Sequence, residues 1–184
     1  MNRKSYFSLI ELAIIIGLAL ASALINSYLP VKDITEYFGI PGPAAGMALF
    51  GGVIFVLWIG LACRITRKKY SGIVASVFIA SICLLIYPWY GVVEPPWFSI
   101  YAIAALLCMG VIIELTESRS SWLAILGGGL GNLSCLAITW LAIGFHTGVW
   151  IPSEFALFLI LAAIVSGNVG VLLARGISPL IKSH

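Results

Sequence analysis

Residues 44–70 read AAGMALFGGVIFVLWIGLAC followed directly by RITRKKY. The first twenty residues carry no charge, and the next seven carry four cations. Twenty residues of helix rise about 30 Å at ~1.5 Å each, which matches the hydrocarbon core of a bilayer. The run is continuously apolar and lacks the alternation of a barrel strand, so its backbone hydrogen bonds must be satisfied within a helix. A basic joint at its end marks the side of the membrane where Lys and Arg accumulate.

The same pattern repeats in both directions along the chain. Apolar runs cover Tyr6–Leu29, Ala44–Cys63, Ser71–Trp89, Trp97–Leu115, Trp122–Phe145 and Glu154–Ala174, separated by short joints rich in Pro, Gly, Ser and charge. Of the 184 residues, 61% are hydrophobic and 9% charged, too little charge to cover a water-soluble domain of this length. The expected class is all-α: one integral membrane domain over residues 1–184, with six transmembrane helices and both termini cytoplasmic. No low-complexity tail or convincing internal repeat interrupts it.

Orientation follows from the cations. With the N-terminus inside, nine of the ten Lys and Arg residues face the cytoplasm: Arg3, Lys4, Arg64, Arg67, Lys68, Lys69, Arg119, Arg175 and Lys182. Only Lys32 faces out. The net charge of +3 is therefore a topology signal, and no nucleic-acid partner is expected. Arg3, Lys4 and the small residues Ala19 to Ala23 also resemble a signal peptide. The length of the run and Glu11 favour a retained helix.

Small residues and buried polar groups are the next signals. The pairs Ala13/Gly17 and Ala19/Ala23 in the first run, Gly42/Gly46 and Gly127/Gly131 allow close helix approach. Two readings stay open: packing within the bundle, or docking of another membrane subunit on the first helix. Gly127 to Gly131 lies within an apolar span with no preceding strand, so it is not a phosphate loop. Asn132, ten residues into its run and so about 15 Å deep, requires polar partners. Asn168 is expected to bond between helices, and Glu11 and Glu114 to snorkel or pair with Arg64, Arg119 or Arg175. Cys63, Cys83, Cys108 and Cys135 lack ligand spacing and read as packing residues, so no metal or other cofactor is expected.

The proposed outer side holds nine of the thirteen Trp and Tyr residues together with Asp33, Glu36, Glu94 and Glu154. An interfacial belt alone would divide the rings more evenly. Aromatic walls beside carboxylates suit a flat, neutral-to-cationic ring held by stacking and cation–π attraction. The joint Tyr87 to Trp97 concentrates this chemistry between three prolines, either as a binding wall or as a rigid turn with anchor rings. The candidate contacts are Glu36, Tyr37, Trp89, Tyr90, Glu94, Trp97, Tyr101, Asn132, Trp140 and His146. The loop Pro30–Pro43 is long enough to close over them. Catalytic motifs are missing from the sequence: there is no H-E-x-x-H, no G-x-S-x-G and no paired membrane aspartates.

Phe38–Lys69, with Gly39-Ile40-Pro41-Gly42-Pro43 leading into the second run, and Leu159–Ile181, with Ser166-Gly167 and Arg175-Gly176-Ile177-Ser178, carry a family likeness. The chain resembles the substrate-binding S-components of energy-coupling factor (ECF) vitamin transporters, most closely the thiamine or hydroxymethylpyrimidine type. The resemblance implies capture of a micronutrient at a prokaryotic cell membrane and docking on a transmembrane coupling subunit driven by two cytoplasmic ATPases. The chain would then not be an enzyme itself. The family's small-residue docking element maps onto Ala13 and Gly17, where glycine replaces the second alanine, or onto Ala19 and Ala23. A rival expectation is a small integral-membrane enzyme or assembly factor acting on lipid or on a membrane-embedded partner.

Overall fold

The computed structural model describes residues 6–30, 33–34, 43–86, 97–117 and 119–182. Within them the chain forms α1 (Leu9–Tyr28), α2 (Pro43–Gly51), a π-helical turn (Gly52–Val56), α3 (Leu57–Thr66), α4 (Ser71–Ile86), α5 (Phe98–Glu117), α6 (Ser121–Thr147) and α7 (Ser153–Lys182). No strand occurs among the described residues. Five helices are long and apolar enough to cross a membrane, with α2, the π turn and α3 forming one of them, and α4 is a shorter apolar helix.

Local chemistry sets the helix ends. Ser8 and Glu11 form a capping box at the start of α1, each satisfying an otherwise orphaned backbone N–H. Ser120 accepts from the Leu123 N–H at the start of α6. Gly148, with φ 70°, ends α6 in the left-handed region, and its N–H closes onto the Gly144 carbonyl. The helix thus stops at Thr147, two residues past Phe145. The last helix also runs beyond the expected Ala174, to Lys182, because Arg175 and Ser178 are held by neighbouring helices.

The second span is the hub of the bundle. It packs against α1, α4, α5, α6 and α7, while α1, α4, α5, α6 and α7 follow one another around it. Accordingly 67% of its apolar window is buried, against 28% for α1 and α7. Large apolar side chains such as Leu9, Ile100, Trp122 and Leu157 remain exposed on the outer helices. Water would leave such a surface unstable, whereas lipid tails solvate it.

Glycines let the helices meet backbone to backbone. A Cβ on Gly128 would strike the Gly167 carbonyl, and one on Gly167 would strike the Gly128 carbonyl, so α6 and α7 touch there. Gly52 and Gly170 make the same kind of approach between the hub and α7. On its other side α6 presents Gly127 to Thr116 of α5. The glycine run of α6 is thus a packing surface used on two sides.

The π turn is held by side-chain hydrogen bonds. Ser22 Oγ donates to the Ile54 carbonyl at 2.5 Å, and the Trp58 indole donates to the Val53 carbonyl at 3.0 Å. Ser166 Oγ accepts from the Gly52 N–H at 3.0 Å. A π turn breaks the regular ladder, and these bonds satisfy the groups it displaces.

Candidate functional site

The two ends of the bundle differ in chemistry. At one end the described cations collect through contacts between joints. Lys68 bridges to Glu11 at 2.7 Å and to the Tyr6 carbonyl. Arg64 pairs with Glu117 and donates to Ser178 Oγ at 3.1 Å, and Arg175 donates to Ser121 Oγ. The partners differ from those expected. Glu11 pairs with Lys68, and Glu114 is held by the α4 N-terminus rather than by Arg64, Arg119 or Arg175. Glu114 accepts from the Tyr70 and Gly72 N–H groups at 2.9 and 2.6 Å and from the Cys63 thiol at 3.5 Å. A carboxylate at a helix N-terminus is stabilised by the free N–H groups and by the helix dipole.

The opposite end carries rings. Trp97 at the head of α5 stacks on His146 of α6, with centroids 4.2 Å apart and planes 11° apart. Tyr101, one turn along α5, places its hydroxyl 2.9 Å from His146 Nε2. It also meets the Trp97 ring edge-on at 6.3 Å. Trp97 and Tyr101 are half-buried and His146 is exposed. The Tyr101 contact engages Nε2 and leaves Nδ1 for another partner, as donor or acceptor according to which nitrogen carries the proton.

Asn132 and Trp140 belong to a different seam, between α6, α7 and α2. Asn132 is fully buried and donates to the Ala163 carbonyl at 3.0 Å and, less closely, to the Met47 carbonyl at 3.4 Å. Its Oδ1 lies against Gly51, and a Cβ there would collide with it. Trp140 packs beside the cluster of Ala45, Ala48, Leu136, Leu159 and Ala163. Among the described residues Asn132 Oδ1 and Trp140 Nε1 are buried without a hydrogen-bond partner. Asn168 abuts Gly129, and its Oδ1 is buried without a hydrogen-bond partner among the described residues.

The ten candidate contacts therefore divide. Trp97, Tyr101 and His146 meet. Asn132 and Trp140 meet α2 and α7 on another side of α6. Glu36, Tyr37, Trp89, Tyr90 and Glu94 lie outside the described residues. The two small-residue pairs of α1 divide as well. Ala19 and Ala23 are fully buried in the chain's own core, whereas Ala13 is exposed and Gly17 has open space where a Cβ would stand. Ala19 and Ala23 pack in that core, where the hub and α4 cover their face of α1.

The four cysteines are free thiols. Among the described residues no three His, Cys, Asp or Glu side chains converge on a metal position. The helices, their apolar exterior and the segregation of charge define a polytopic all-α membrane protein. Comparisons with family models, with curated proteins and with solved structures found no match.

Proposed function

We propose that the chain is the substrate-binding membrane subunit of an ECF-type transporter, taking a small heteroaromatic, thiamine-like vitamin or precursor from outside the cell. The observation that carries this reading is the meeting of Trp97, Tyr101 and His146 from two helices, at the end of the bundle away from the cations. The positive-inside rule assigns that end to the exterior. A planar ligand extends the Trp97–His146 stack, and His146 Nδ1 supplies one directional hydrogen bond. The carboxylates of the flanking loops would complete recognition of a cationic ring. The outward-facing Ala13 and Gly17 on α1 suit a close-packed coupling subunit, which would bring the cytoplasmic ATPases.

The rival reading, an enzyme or assembly factor, needs Glu11, Glu114 or His146 free for chemistry. Glu11 and Glu114 are instead committed to helix caps, which leaves His146 to carry that chemistry.

The test is thermal unfolding of the purified chain against B vitamins and their precursors. A ligand that binds only the folded state raises the midpoint as its concentration passes Kd. Trp97→Ala and His146→Ala should each weaken the effective ligand about tenfold, equivalent to ~1.4 kcal/mol of stacking and hydrogen bonding. No stabilisation by any member of the panel at saturating concentration would refute the proposal.

A further inference from the structure

A second site is built at the basic end. A cleft of about 630 Å³ opens between the start of α4 and the end of α5. Its rim carries five cations, Arg64, Arg67, Lys68, Lys69 and Arg119, against two carboxylates. Glu117 pairs with Arg64 through Oε1, with Oε2 buried and without a hydrogen-bond partner among the described residues, and Glu114 is held by the α4 N–H groups. Lys68 is held by Glu11. Arg67, Lys69 and Arg119 meet no carboxylate within ion-pair distance among the described residues, and all three are exposed. The turn presents two of them at a conformational cost, since Arg67 (φ 54°) and Tyr70 (φ 70°) both adopt the left-handed region without being glycine.

Part of the lining is apolar. Ile73, Val111 and Leu115 form that part. Val111 and Leu115 are one turn apart on α5 and remain 38% and 59% exposed, on a helix long and apolar enough to cross the membrane. Exposed apolar residues on such a helix face lipid tails. The cleft therefore joins a cationic rim at headgroup depth to an apolar wall that descends into the hydrocarbon. Its volume falls within the ~300–1,000 Å³ typical of small-ligand sites.

We propose that this cleft binds the phosphate headgroup of an anionic phospholipid, with Arg67, Lys69 and Arg119 on the phosphate and an acyl chain along Val111 and Leu115. Basic clusters just beyond a span attract anionic lipid, and guanidinium groups pair with phosphate oxygens in a two-pronged fashion. A free phosphate ester would satisfy the rim but would leave the apolar wall unused. The proposal rests on the membrane-spanning fold and is independent of the vitamin reading.

The experiment is native mass spectrometry of the full chain released from neutral detergent, with phosphatidylglycerol and phosphatidylcholine in competition and glycerol phosphate as a separate arm. The wild type should retain one phosphatidylglycerol at least fivefold in preference to phosphatidylcholine. The combined variant Arg67→Asn, Lys69→Gln, Arg119→Gln should lose that preference while keeping its helical content, since asparagine tolerates the left-handed region at residue 67. Arg175→Gln, which removes a cation at the same end but outside the cleft, should retain it. Equal retention of the two lipids, undiminished retention by the combined variant, or equal loss in Arg175→Gln would overturn the site. Displacement of the lipid by glycerol phosphate at equal concentration would overturn the assignment to lipid in favour of a soluble phosphate.

Discussion

Gly128 and Gly167 illustrate how single residues hold this bundle together. Each lacks a Cβ where the other's carbonyl stands, so the two backbones approach closely enough for weak Cα–H···O contacts. Gly167→Ala forces the helices apart and should cost about 1–3 kcal/mol, the usual range for overpacking. A lowered unfolding midpoint in detergent would register it, while Gly176→Ala, with nothing near its Cβ, should not lower the midpoint. Glu114 is the other decisive residue. Glu114→Ala leaves the Tyr70 and Gly72 N–H groups without an acceptor and should destabilise by about 1–3 kcal/mol. Glu114→Gln retains one acceptor oxygen and should recover part of that loss. If Glu114→Gln instead abolished a biochemical activity in a fully stable protein, the structural account of this carboxylate would fail.

Among the elements, α1 has two faces with separate duties. Ala19 and Ala23 pack into the hub, and Ala13 and Gly17 face outward. Substitution of each pair by leucine separates those duties. Ala19→Leu should lower the unfolding midpoint, since it adds volume to a filled core. Gly17→Leu should leave the isolated chain as stable as before and reduce co-purification of any coupling subunit, a difference visible in paired thermal-melt and pull-down measurements. The π turn of the hub makes a further expectation. Removing its side-chain support with Ser22→Ala frees the Ile54 carbonyl in a buried place, at a cost of about 1–3 kcal/mol. The unfolding midpoint checks this as well.

For the whole molecule, the collection of the described cations at one end of the bundle predicts its orientation. A cysteine placed at Lys69 should react with a membrane-impermeant thiol reagent only after cells are opened, and one placed at Trp150 in intact cells. The reverse pattern would turn the ring-bearing end toward the cytosol and remove nutrient capture from the medium. Spans were legible because hydrophobic length is a local property: residues 44–63 declare a helix by themselves, and Arg64 to Lys69 declare its end. The edges were less legible. Thr147 ends its helix before a left-handed glycine, and the last helix continues past Ala174 with Arg175 and Ser178 held by other helices, and run length shows neither.

The amino-acid sequence alone determined the solvent, the number of apolar runs and the side on which charge collects, because each depends on composition within one segment. It also marked Trp97, Tyr101 and His146 as candidates by residue type. Only the tertiary structure decided that these three meet while Asn132 and Trp140 belong to another seam, and that Ala19 and Ala23 are core whereas Ala13 and Gly17 are surface. Those outcomes depend on the rotation of each helix about its own axis. For α5, α6 and α7 close glycine contacts between distant segments set that rotation, and the apolar pattern of a lipid-facing helix barely constrains it.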